Sequence, residues 1–178
     1  AVGDLDRELN DIVNLDFEIL PSALYLDAKE WKILPAKVRM GGGDIKVDGI
    51  EIASGEQRIR LAGETSRSQK DTMTLSLERF NISGINHLTK SDLGINGNIT
   101  GKVDLISPMN SIGLLADIIC DSTMIADIPL GLLSIGSIWD DEFERFNISL
   151  KNNLNGRSNI DVKGKLTPKL RSIEGTVD

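Results

Sequence analysis

The chain has 178 residues, with 27 acidic against 20 basic side chains and a formal charge of −7. That length suits one domain or one elongated module, and no block of five or more like charges occurs, which argues against nucleic acid because phosphate neutralisation needs clustered Lys and Arg. One cysteine, Cys120, and one histidine, His87, leave no disulfide within the chain and no thiolate or imidazole shell for a metal.

The N-terminal residues show no signal peptide, and no window approaches the roughly 20 apolar residues of a membrane helix. A short amphipathic turn is predicted from Asp4 to Val13, with Leu5, Leu9, Ile12 and Val13 on one side. From there period two dominates. Apolar residues alternate at Ile45/Val47, Ile59/Leu61/Gly63 and Met73/Leu75/Leu77, then through Leu93, Ile95, Gly97, Ile99, Gly101, Val103 and Leu105. The alternation resumes at Phe146/Ile148/Leu150, Ile160/Val162/Gly164/Leu166 and Ile173/Gly175/Val177. Each run predicts a strand with one dry and one wet face. Turn-rich stretches separate them at Gly41 to Asp44, Ala53 to Glu56, Ser66 to Asp71, Asn152 to Asn159 and Thr167-Pro168. A second short helical turn fits Ile85 to Leu88, and Ser111 to Ile119 reads equally as helix or buried strand. No amphipathic helix is available for parallel crossovers, so the reading is all-β, with consecutive antiparallel strands in one module spanning residues 1–178. Because the pattern starts and stops inside strand-like sequence, a fragment of a longer protein is expected.

Glycine recurs on the apolar face of these strands, at Gly97, Gly101, Gly164 and Gly175. Mid-strand Gly costs about 0.5–1 kcal/mol relative to Ala, so its repetition points to a bend or to something approaching the backbone closely. The apolar set itself is aliphatic. Leu and Ile contribute 22 residues each and Phe, Trp and Tyr only 7 together, whereas ligand pockets lean on aromatics.

Catalytic signatures are absent from the sequence: there is no nucleophile elbow and no phosphate-binding loop, and His87 lies in a polar turn without a partner. Cys120 closes an apolar run and reads as a small buried hydrophobe. The acidic group Asp140, Asp141, Glu142 and Glu144 reads as a solvated hairpin turn, since adjacent carboxylates do not converge on one cation without an interposed loop. No enzyme activity and no cofactor are therefore expected. The dry aliphatic face remains, and alternation by itself favours its burial in a β-sandwich over its use as a groove.

From Trp31 onward the chain resembles the TamB and AsmA-like bacterial envelope proteins in their Bacteroidetes form. The resemblance is carried by Phe80-Asn-Ile82, Gly94-Ile-Asn-Gly97-Asn-Ile-Thr-Gly101, the Ser107-Pro108 break, Ala116-Asp-Ile118, Pro129-Leu-Gly131 and Ser137-Ile-Trp139-Asp140. It implies a curled antiparallel sheet, a β-taco or jellyroll-like trough with one or two short helices, in a large periplasmic protein anchored in the inner membrane. Such proteins are associated with moving phospholipid between inner and outer membranes and with outer-membrane protein assembly. On this resemblance the functional positions are the inward apolar ones: Leu61, Leu75, Leu77, Ile95, Ile99, Val103, Ile148, Leu150, Val162 and Leu166. The implied partners are phospholipid acyl chains, and an outer-membrane assembly partner reached through regions outside this chain. Asp71-Thr72-Met73 and Asp121-Ser122-Thr123 match an O-glycosylation pattern, with Thr72 and Ser122 as acceptors. A closed sandwich or solenoid that acts as an adhesin or binds polysaccharide is the alternative.

Overall fold

The computed structural model describes residues 14–26, 29–66, 71–84, 94–106, 113–140, 142, 145–169 and 172–177. The helical turns expected at Asp4 to Val13 and Ile85 to Leu88 lie outside these residues, as does His87. Among the described residues, thirteen strands form one antiparallel sheet whose two ends do not pair with each other. The expectation of an all-β, open, curled sheet is met.

The sheet starts with two hairpins laid end to end. Strands β1 (Leu15–Ile19) and β4 (Ala36–Gly41) pair, and so do β2 (Ser22–Leu26) and β3 (Lys29–Ile33). The register is the same on both sides of the break, with Ile19 opposite Ala36 and Ser22 opposite Ile33. This is one long hairpin interrupted at Leu20-Pro21 and Leu34-Pro35. Proline lacks the N–H that a ladder needs, so two prolines at the same level cut both strands together. Both β3 and β4 then pair with β5 (Asp44–Ser54), covering one of its edges in two halves.

From β5 onward each strand pairs with the next in sequence: β6 (Gln57–Thr65), β7 (Thr72–Asn81), β8 (Asn96–Ile106), β9 (Gly113–Ile125), β10 (Ile128–Asp140), β11 (Arg145–Asn153), β12 (Asp161–Lys169) and β13 (Ser172–Val177). The stretch that read as helix or strand is β9 over its described part. A 3-10 turn at Ile82–Gly84 follows β7.

Tight turns explain the short connections. Gly42 and Gly43 both take positive φ between Gly41 and Asp44, and Gly55 does so between Ser54 and Gln57. These are the backbone angles of two-residue hairpin loops, which glycine adopts without strain. Asn155 and Gly156 repeat the pattern between Leu154 and Arg157.

The sheet curls toward its apolar side. Strands β3 and β7 are separated by β5 and β6, three strand spacings or about 14 Å in a flat sheet. Yet Trp31 and Phe80 bring their ring centroids to 6.2 Å across the end of the β5–β6 hairpin. Farther along, Ile82 leaves the end of β7 and packs with Cys120 of β9 and Leu133 of β10, and Phe80, Ile95, Ile99, Leu130 and Leu150 surround them. Cys120 is 3% exposed and unpaired, as expected for a small buried hydrophobe. This cluster closes one end of the trough.

The mid-strand glycines have a structural cause. A Cβ at Gly101 would lie 2.2 Å from the Asp117 carbonyl oxygen, and one at Gly97 would lie 2.8 Å from Cys120 Sγ. The neighbouring strand, β9, is what approaches these two backbones. At Gly97 and Gly101 close approach to the backbone is the reading observed, and at Gly97 a register shift in the β8–β9 pairing accompanies it.

Candidate functional site

Register assigns the expected lining residues to a common face. Residues directly opposite in antiparallel strands share a face, and Leu61 faces Leu75, which faces Val103, which faces Ala116. The row continues through Ser137, Ile148 and Gly164. Six strand spacings separate β6 from β12, so the row runs for roughly 29 Å.

A second row lies two residues along each strand. It joins Ile52, Ile59, Leu77, Gly101, Ile118, Ile135, Leu150 and Val162. A third contains Phe80, Ile99, Cys120, Leu133 and Asn152, and ends at the cluster around Ile82. Leu166 pairs with Phe146 in a row on the opposite side of the first; its side chain lies outside the described residues.

Accessibility divides the ten positions. Leu61, Leu75, Leu77, Val103, Ile148 and Val162 are half-buried in the open rows. Ile95, Ile99 and Leu150 are also half-buried but pack against the closed end, so their first role is to hold the fold. Among the described residues no second sheet covers this face, and no large side chain is less than 2% exposed. The face is a trough wall with aliphatic side chains and few polar interruptions, Ser137 and Asn152 among them.

Ile118 and Ile135 belong to the wall but do not stand out in the sequence. Their strands, β9 and β10, carry apolar residues on both faces, which hides the period of two. The register supplies the signal that composition lacked.

The opposite face is largely a charge ladder. Arg60 of β6 lies opposite Glu51 and Lys102 of β8 opposite Asp117, while Lys46 and Glu64 come within 3.7 Å and Arg58 bridges Glu51 and Glu78. These pairs are exposed at one or both ends, so each contributes at most about 1 kcal/mol. Arg39 and Asp48 are closer, at 2.6 Å. Their hydrogen bond, and then their mutual attraction, raise the guanidinium pKa and hold the carboxyl below its usual value.

Of the acidic turn, Asp140 accepts from Asn147 Nδ2 at 3.3 Å and lies 3.4 Å from Arg145 Nε, and Glu142 is exposed. Asp141 and Glu144 lie outside the described residues, among which no group of three metal-ligating side chains converges. The proposed glycan acceptors differ. Ser122 is exposed at a bulge in β9 with φ 52°, while Thr72 begins β7 and is half-buried.

No protein-family model, curated protein or solved structure matches the chain. No described helix is long and apolar enough to cross a membrane.

Proposed function

We propose that this chain forms one stretch of a hydrophobic trough that holds and guides phospholipid acyl chains, in a periplasmic protein of the TamB and AsmA-like kind anchored in the inner membrane. On this reading it performs no catalysis, and it supports outer-membrane assembly through parts of the parent protein outside this chain. The observation that carries the proposal is the open row Leu61, Leu75, Val103 and Ile148, aliphatic over several strands and half-exposed with no covering layer among the described residues.

The physics suits a conduit. Each methylene removed from water gains roughly 0.8 kcal/mol wherever it sits along a uniform aliphatic wall. A tail is thereby held without orienting contacts and can slide, whereas aromatic stacking would impose stops.

The test is organic extraction and lipid mass spectrometry of the chain produced in a bacterial envelope without detergent. A Leu75→Asn/Ile148→Asn variant, checked for its β-sheet circular dichroism, is purified beside it. Ile95 and Ile99 are unsuited to this test because they pack against the cluster around Ile82 and hold the fold. Phospholipid that co-purifies with the parent chain and is lost from the folded variant supports the trough. Lipid absent from both points to the alternative, a structural or adhesive β-module.

A further inference from the structure

The charged face of the sheet is interrupted by grease. On β9 and β10 the side chains of Leu115, Ile119, Leu132 and Ile138 project from it and are 36%, 44%, 41% and 66% exposed. Strands that carry apolar residues on both faces are ordinarily covered on both faces, and nothing described covers this one.

Part of this patch lies in a concavity of about 740 Å³ spanning β8 to β12, within the range of small-molecule sites. A twisted sheet is saddle-shaped, so it can be hollow on one face along one direction and on the other face along another. The floor is low where Gly136 lacks a side chain, and Leu115 and Ile138, which are register neighbours of Ala116 and Ser137, form its apolar middle.

Its two rims differ in charge. On β8, Lys102 lies 3.5 Å from Asp104 and opposite Asp117, so that rim is neutralised. On β12, Lys163 and Lys165 face the neutral Ser149 and Asn147, and neither has a carboxylate partner among the described residues.

We propose that this concavity binds an amphiphile with one alkyl chain and an anionic head, the head on Lys163 and Lys165 and the chain over Ile138 and Leu115. The site lies on the face opposite the aliphatic trough and stands independently of the function proposed for it. The head is a carboxylate or a phosphate, as the recognition by lysine is common to both.

Calorimetric titration of the full 178-residue chain with laurate, dodecyl phosphate and the neutral dodecyl maltoside, each below its micellar concentration, tests this. At least one anionic ligand binds, and the tighter of the two identifies the head group. Lys163→Gln/Lys165→Gln weakens that ligand about tenfold, as expected for two exposed charge contacts, and leaves dodecyl maltoside unchanged. Ile138→Ser, at an exposed position that does not hold the fold, weakens all three ligands, while Lys46→Gln, which removes a lysine from the same face at β5, outside the concavity, changes none. The proposal fails if neither anionic ligand binds, if the double lysine variant stays within twofold of the parent, or if Lys46→Gln removes binding that Ile138→Ser retains.

Discussion

The side-chain amide of Asn152, only 3% exposed, donates to the Leu130 carbonyl at 3.1 Å. The same amide donates to Asn159 Oδ1 at 2.7 Å, and its oxygen accepts from the backbone N–H groups of Asn159 and Ile160 at 3.0 and 2.8 Å. One buried side chain thus ties β10 to the loop that leads into β12. Buried amides are tolerated only when satisfied in this way.

Asn152→Ala leaves two backbone donors and one carbonyl without this partner. At about 1–3 kcal/mol for a buried group left unsatisfied, the loss of stability is expected to be about 2–3 kcal/mol. Urea denaturation followed by circular dichroism measures it. A change within about 0.5 kcal/mol, the level of an ordinary surface substitution, would show that water replaces the side chain without cost.

Gly101 and Gly55 separate two reasons for glycine. At Gly55 the φ is +59° and nothing lies within 4 Å of a built Cβ, so Gly55→Ala bears only the left-handed backbone cost of about 1–2 kcal/mol. At Gly101 the Asp117 carbonyl occupies the space of the methyl group, at 2.2 Å, so Gly101→Ala must displace β9. Its cost is expected to exceed that of Gly55→Ala by at least about 1 kcal/mol, within the range for overpacking. Parallel chemical melts of the two variants decide it, and equal losses would mean that the strands part freely at this point.

Legibility in the sequence followed the wetness of each strand. The run from Leu93 to Leu105 alternates cleanly because β8 has charged or polar residues on its outer face, and it became the strand Asn96–Ile106. Ser111 to Ile119 was ambiguous because β9 carries Leu114 and Leu115, then Ile118 and Ile119, on opposite faces. The common face of Leu61, Leu75 and Val103 follows from alternation plus register, but which strands pair is not written in either strand alone. The interruption at Pro21 and Pro35 is not legible in the sequence, since each proline looks like a loop until the register puts them at one level.

The turn between β9 and β10 was also hidden. Ala126 and Asp127 connect Ile125 to Ile128 with φ of 48° and 65°, angles of a hairpin loop that usually advertises itself as Asn-Gly or Asp-Gly. Replacing the pair by Ala126→Asn with Asp127→Gly relieves the left-handed strain of an alanine. A gain of about 1 kcal/mol is expected, seen as a higher Tm. An unchanged or lower Tm would show that the flexibility gained by glycine in the unfolded chain offsets the relief.

Asp48 and Arg39 provide the pH dependence. The hydrogen bond from Arg39 holds the Asp48 carboxyl below its ordinary value of 3.8. A carboxyl whose pKa is lower in the folded state binds fewer protons there than in the unfolded chain. Its contribution to stability is therefore fully present above the unfolded value and is lost as pH falls through the lower, folded one. Both groups are exposed to solvent, so salt is expected to weaken the effect. Carbon-detected NMR titration of Asp48 should give a midpoint below 3.8 at low salt, moving upward in 1 M salt (a Debye length of about 3 Å) and in Arg39→Gln. A midpoint that stays in place in Arg39→Gln would assign the shift to some other neighbour, with Lys46 and Lys37 the nearest cationic candidates.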